Sequence, residues 1–410
     1  MQISEIINPS DTVSTAEARY RDGDYAGAAS LLGPLVEQSP PSSTAMRVLG
    51  LCRLRQGAPL EALRLLGTAH ELDPADPWSR LHYGIGLQSA GRHGEAAALF
   101  RSCQSMLPED PAPFLNLSSS LLALGDVPGA LTAARKARLR APRMPQTHYT
   151  LGLAYLAADQ FHAAAEAFRQ ATKLAPRFVQ AWINLGVASY KGGHIDAAMQ
   201  AMSSALEVDP DNQAAAANLG GFLRLTGHTE AAETLLRGIV ERQPGAAAAR
   251  INLAGDLLQE ERAAEALALL SGPLPADLQT RQSWLLQQAL ALIKLDRLTE
   301  ARSAIDRLGT PPPALVPLLQ WRLVLLNLAE GDTVKARQEA ALMEASLETA
   351  ASMLPEHRIM AHYDLAKFWS QLKEPDRAFP CWATGHRLLA RFQPFSRRDY
   401  AAFVDATIAS

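Results

Sequence analysis

Cysteine, aromatic side chains and a dominant charge are all scarce in this chain, and each scarcity removes a class of protein. Only 3 cysteines, Cys52, Cys103 and Cys381, occur in 410 residues, and they lie far apart. That is no disulfide framework; it suits a reducing compartment, and a cytoplasmic location is expected. Lys and Arg number 39 against 42 Asp and Glu, for a net charge of -3. With no basic excess, nucleic acid is not the expected ligand, because phosphate neutralisation dominates such affinity. No apolar run approaches the roughly 18 residues that a membrane-spanning helix requires. Residues 1–18 contain no Lys or Arg and no sustained apolar core, so neither a secretory signal nor a membrane partner is expected.

Catalytic signatures are missing too. The chain has no G-x-x-x-x-G-K-[ST] loop, no G-x-G-x-x-G behind a strand, no H-E-x-x-H and no paired C-x-x-C. A phosphate cradle, a structural zinc site and a redox pair each need one of these, so no cofactor is expected and the chain itself is not expected to be an enzyme. His357 and His362 stand five apart, a poor spacing for one helical face, and metal binding there is not expected.

What the chain has instead is repetition. Residues 181–210 read as two short amphipathic helices around a Gly192-Gly193 turn, and steps of 34 residues recover the same residue types. Alanine recurs at Ala28, Ala62, Ala96, Ala130, Ala164, Ala198, Ala232 and Ala266, and proline at Pro40, Pro74, Pro108, Pro142, Pro176, Pro210 and Pro244. Gly50, Gly84, Ser118, Gly152, Gly186 and Gly220 mark a site of close approach on the first helix, and Gly57, Gly91, Gly125, Gly193 and Gly227 mark the turn. Hydrophobic residues make up 48% with aromatics at 6%; the balance is alanine, which lets helices approach closely.

This spacing resembles the tetratricopeptide repeat (TPR). The resemblance implies an all-α, right-handed TPR superhelix (an α-solenoid) in which each unit buries its apolar face only against its neighbours. Residues 1–280 are expected to form a regular array of about eight repeats, the first serving as a cap. In repeat eight Ser271-Gly272-Pro273-Leu274-Pro275 replaces the usual ending, and beyond it Ala301, Ala336 and Ala378 keep only a loosened period. Residues 281–410 are therefore expected to be divergent helical hairpins and a C-terminal junction.

A solenoid offers a groove rather than inherent chemistry. Asn116, Asn184, Asn218 and Asn252 share the sixth position of their first helices, which the resemblance places on the concave face. A row of amides can pair with the backbone of an extended peptide whatever its side chains. It can equally join adjacent helices of the stack. Tyr149, Ile183, Tyr190 and Arg224, with Lys191 and Leu258, surround the row and complete the candidate peptide-binding set. Repeats that clamp a C-terminal carboxylate carry Lys at position five and Asn at position nine of a first helix. Position nine here is Glu17, Leu51, Ile85, Ser119, Leu153, Val187, Gly221 and Gly255, so a chaperone-tail co-chaperone is not expected. A basic run at Arg135, Lys136, Arg138, Arg140 and Arg143 is either a docking stripe for an acidic partner or a solvated outer face.

The last segment departs from the repeat. Asp364-Leu365-Ala366-Lys367, Asp376-Arg377-Ala378-Phe379, Trp382, Gly385-His386-Arg387-Leu388-Leu389 and Pro394-Phe395-Ser396-Arg397 resemble the region preceding the catalytic domain of bacterial TPR-containing sulfotransferases. In that family a PAPS-binding domain follows, entered through a Pro-Arg-Ser-Gly-Thr-Thr-like loop. No such loop occurs up to Ser410, so no catalytic residue carries over. Independently of the family, Trp382, Phe392 and Phe395 read as apolar knobs sealing the last hairpin. The expected function is a non-catalytic scaffold binding a protein or peptide in its concave groove, as the substrate-recruiting part of a sulfotransferase-like protein. The alternative is a free-standing adaptor that assembles complexes or self-associates.

Overall fold

The structure, a computed structural model, describes residues 9–38, 40–349, 353 and 355–390. Among them lie 22 helices and no strand. Contacts divide the chain into two compact units, residues 1–188 and 189–410. The first unit holds α1 (Pro9–Arg21), α2 (Tyr25–Val36), α3 (Ser43–Arg55), α4 (Pro59–Leu72), α5 (Pro77–Ser89), α6 (His93–Met106), α7 (Ala112–Ala123), α8 (Val127–Arg140), α9 (Pro145–Ala157) and α10 (Phe161–Leu174). The boundary falls inside α11 (Val179–Lys191). The second unit continues with α12 (Ile195–Val208), α13 (Gln213–Leu225), α14 (Thr229–Arg242), α15 (Ala247–Gln259), α16 (Ala263–Leu269), α17 (Leu278–Lys294) and α18 (Leu298–Asp306). It ends with α19 (Val316–Ala329), α20 (Thr333–Thr349), α21 (Pro355–Gln371) and α22 (Pro375–Leu389).

One local device repeats along the chain. Each turn from an odd-numbered to the next even-numbered helix holds a left-handed residue: Gly23, Gly57, Gly91, Gly125, Asp159, Gly193, Gly227, Glu261, Asp296, Gly331 and Lys373. That conformation reverses the chain in few residues and is costless only for glycine. Five positions on stands an alanine each time: Ala28, Ala62, Ala96, Ala130, Ala164, Ala198, Ala232, Ala266, Ala301, Ala336 and Ala378, none more than 4% exposed. The pair survives in the C-terminal hairpins, where the 34-residue period does not. Side-chain caps at Asp24, Ser42, Asp76, Asp126, Asn212 and Asp277 satisfy orphan N–H groups of the helices that follow them.

The small residues of the first helices are packing-limited. A Cβ built on Gly50 would stand 2.7 Å from Leu66, one on Gly84 2.6 Å from Phe100, and one on Gly152 2.6 Å from Phe168. Where Ser118 takes this place, the residue opposite is Ala134, and the hydroxyl donates to the Ala130 carbonyl at 3.0 Å. A larger group on one helix is thus matched by a smaller one on the other, which keeps core density constant.

In the second unit α16 and α18 are cut to 7 and 9 residues, and their terminal carbonyls need new partners. Trp284 Nε1 and Gln288 Nε2 of α17 both donate to the Leu270 carbonyl at 3.2 Å. Gln282 Nε2 donates to Leu308 and Thr310 at 3.1 and 3.0 Å. Both endings are therefore closed by side chains of α17, the helix that follows α16 and precedes α18. The three cysteines are buried free thiols, and burial pushes those of Cys103 and Cys381 up to about 11. Among the described residues no helix is long and apolar enough to cross a membrane.

Candidate functional site

In the first unit Asn184 donates from Nδ2 to the Tyr149 hydroxyl at 3.0 Å, and the Tyr149 ring packs on Phe178 with centroids 4.8 Å apart. Ile183 is buried at 7% exposure, so it belongs to the floor of this face. Asn116 turns back on its own helix, donating to the Ala112 carbonyl at 2.9 Å. In the second unit Asn252 donates to the Ala217 carbonyl at 2.9 Å, tying α15 to α13. Tyr190, 4% exposed, lies under Phe222 with ring centroids 4.6 Å apart. Asn218 is half-buried. Three of the four asparagine amides thus have a bond inside the protein, but only those of Asn184 and Asn252 join one helix to another, the role that the sequence left open beside peptide capture. Each amide carbonyl and second N–H retains further capacity.

Of the basic run, Arg140 lies 4.0 Å over the Phe114 ring and donates to the Pro108 and Lys136 carbonyls, and Arg135 lies 5.6 Å over Tyr155. Those two cations are partly committed to the joints of the stack. In the C-terminal segment Leu365, Ala366 and Ala378 are buried, and Gly385 lies against Tyr363. Trp382 is 38% exposed, yet its ring packs across the hairpin on Tyr363 of α21 with centroids 5.3 Å apart and stacks on His386 at 6.2 Å. Phe392, Phe395 and the Pro394–Arg397 motif lie outside the described residues.

The second unit also contains a groove of about 600 Å³ lined by the first helices α13, α15, α17, α19 and α21. Arg224 and Asn252 are on its wall. Arg224 is fixed there: its Nη1 lies 2.6 Å from Asp256 Oδ1, while Asp256 Oδ2 is buried with no partner. Burial raises the Asp256 carboxyl and the Arg224 charge opposes that rise. Lys294 pairs with Glu261 at 2.9 Å on the rim.

Sequence reasoning missed two central groups. Arg322, 7% exposed in the otherwise uncharged α19, donates from Nε to the Leu286 carbonyl at 3.2 Å. Burial pushes its pKa down to about 10, against the pull of Asp364; it remains a cation at neutral pH. Asp364, on α21, is pushed up to about 6 by burial, with Arg322, Lys367 and Lys294 holding it lower than burial alone would. The available signal was a single arginine in VPLLQWRLVLLNLA, a charge that helix burial makes costly unless it is used.

Tandem helical hairpins, with no strand among the described residues, define the class: an all-α repeat fold of the tetratricopeptide type. A family model for the tetratricopeptide repeat matches residues 14–77 and 149–215. A second model of the same description matches 191–246, so both stop short of the C-terminal hairpins. No curated protein matches. Among solved structures, MamA from Desulfovibrio magneticus RS-1 is 24% identical, covering 42% of this chain and 96% of its own, with a TM-score of 0.37. A TPR protein from Thermus thermophilus, TTC0263, is 23% identical over 45% of this chain and 100% of its own, TM-score 0.37. PilF of Pseudomonas aeruginosa is 18% identical over 50% and 92%, TM-score 0.43.

Proposed function

We propose that this chain is a non-catalytic scaffold that holds an extended peptide or protein segment against its first helices. The observation that carries the reading is the groove of the second unit, an open trough of about 600 Å³ with an apolar wall and the amides of Asn252, Gln259, Gln287 and Gln371 along it. Amides offer a donor and an acceptor each, the complement of a peptide backbone. We assign the contact to Asn116, Tyr149, Ile183 and Asn184 in the first unit and to Tyr190, Asn218, Arg224 and Asn252 in the second. A finer form of the proposal, the recruiting part of a sulfotransferase-like protein, rests only on the resemblance of residues 364–397. A free-standing adaptor would use the same groove.

The test is the double substitution Asn184→Ala with Asn218→Ala, measured by fluorescence anisotropy against a panel of unrelated extended peptides. Two lost amide bonds should weaken every peptide by about 5- to 150-fold, corresponding to roughly 0.5 to 1.5 kcal/mol each. Unchanged affinity in a variant of normal helicity and melting would assign these asparagines to the joints of the stack alone.

A further inference from the structure

The charges in the groove of the second unit divide into spent and unspent. Arg224 is held by Asp256 and Lys294 by Glu261. Arg322 makes one hydrogen bond, through Nε, and among the described residues its Nη1 and Nη2 have no acceptor. Asp364 lines the same trough and feels Arg322 electrostatically, yet the two form no ion pair within 4.0 Å. Lys367, on the exposed rim one turn along α21, makes no ion pair among the described residues. The unpaired cations, Arg322 and Lys367, outnumber the unpaired acid, Asp364. The guanidinium is thus anchored through Nε, with its two Nη nitrogens left for an acceptor that enters the groove. Beside it Leu290, Leu318, Trp321, Leu325 and Leu328 are half-buried and Met360 is 40% exposed.

We infer that this groove selects an internal acidic residue flanked by large apolar residues in an extended peptide segment. The inference rests on the groove-binding reading above and adds its specificity. The peptide carboxylate accepts from Arg322 Nη1 and Nη2, the forked geometry that guanidinium matches best. Lys367 adds charge at the rim, and the apolar neighbours settle on Trp321 and the leucines. Asp364 sets a threshold: its negative charge weakens the site for an acid, so the segment must supply apolar contact as well.

The probe is a set of labelled peptides, acetylated and amidated to remove terminal charges, with cores Leu-Leu-Xaa-Phe-Leu in which Xaa is Glu, Gln or Lys. With the full chain, Glu should bind about 10-fold more tightly than Gln, the difference between a charge-assisted and a neutral hydrogen bond, and Lys more weakly still. Arg322→Gln should erase the Glu preference. Because Arg322 also holds the Leu286 carbonyl, two further variants guard against misfolding. Lys367→Gln, at the exposed rim, should reduce the preference several-fold. Asp364→Asn should change it the other way, tightening Glu binding. Equal binding of the Glu and Gln peptides, or a preference untouched by both Lys367→Gln and Asp364→Asn in folded protein, overturns the selection while leaving backbone capture standing. Binding by none of the peptides overturns both.

Discussion

The indole Nε1 of Trp182 donates to the carbonyl of Pro176 at 2.8 Å, across the turn between α10 and α11. The same register position makes the same bond elsewhere: Arg80 to Pro74 at 2.8 Å, His148 to Pro142 at 2.8 Å and Arg250 to Pro244 at 3.2 Å. Between Pro74 and Pro244 two repeats carry a residue there that cannot donate, Phe114 and Ala216. In both an arginine at the end of the following even-numbered helix substitutes, Arg140 reaching Pro108 and Arg242 reaching Pro210. The proline that ends each helix thus fixes a carbonyl at the repeat junction, and the chain supplies its donor from either side. Trp182→Phe keeps the ring and loses the donor. It should cost about 0.5 to 1.5 kcal/mol, read as a lowered urea midpoint with unchanged m-value.

Close approach gives a sharper contrast. Gly152→Leu must displace the Phe168 ring, whose nearest carbon is 2.6 Å from a Cβ at that position. It should destabilise by about 1 to 3 kcal/mol. Gly94→Ala, in a helix where a Cβ meets nothing within 4 Å, should stabilise by about 0.4 to 1 kcal/mol. Thermal melts of the two variants moving in the same direction would contradict the packing described.

The turns make a paired prediction. Gly57 has φ 77°, and Gly57→Ala places a Cβ where L-residues pay about 1 to 2 kcal/mol. Lys373 already occupies that conformation, at φ 60° on an exposed turn. Lys373→Gly should therefore raise stability, by less than the Gly57→Ala loss because glycine also adds freedom to the unfolded chain. Chemical denaturation of both variants measures the two effects.

The 34-residue periodicity was legible because alanine, glycine and proline each act through backbone geometry that depends little on distant neighbours. Asp159, Glu261, Asp296 and Lys373 hid the same turn, since nothing in their side chains advertises a left-handed backbone. The asparagine row was legible as a position but not as a set of bonds: Asn252 donates to a backbone carbonyl of another helix and Asn116 to one of its own, a choice that packing makes. Arg322 and Asp364 come together across hairpins whose spacing has drifted, so periodicity could not pair them.

Protonation of His82 should set part of the acid limit. Its Nδ1 faces Arg47 Nη1 at 3.4 Å and so accepts, which requires the neutral ring; burial, with Arg47 second, lowers its pKa to about 4. The unfolded value is near 6.5, so between about pH 4 and 6.5 the unfolded chain binds the extra proton. The native state is therefore favoured fully above pH 6.5 and loses on the order of 2 to 3 kcal/mol as pH falls to about 4. His82→Gln keeps an acceptor without the titration. The stability difference between His82→Gln and the parent should shift in favour of the variant as pH drops from 7 to 4; a pH-independent difference would show that the ring titrates normally.

The Arg224–Asp256 pair separates support of the fold from binding. Asp256 has a side chain only 5% exposed, one oxygen 2.6 Å from Arg224 and the other buried without a partner. Arg224→Met strands that carboxylate, and removing one partner of a buried pair costs about 3 to 5 kcal/mol. Since burial already raises the Asp256 pKa and Arg224 alone counters it strongly, the variant's Asp256 will take up a proton at higher pH than before. The sign follows: the native variant binds a proton that the unfolded chain does not, so its deficit against the parent shrinks as pH falls from 7 toward the unfolded aspartate value near 4. Adding Asp256→Leu removes the stranded charge altogether and should recover most of the loss, since apolar replacement of a buried pair is often neutral or stabilising. Urea titrations of both variants at pH 7.5 and 4.5 measure this. If the double variant regains the parent's stability and still binds the peptide panel with unchanged affinity, Arg224 is a strut of the groove wall rather than a peptide contact.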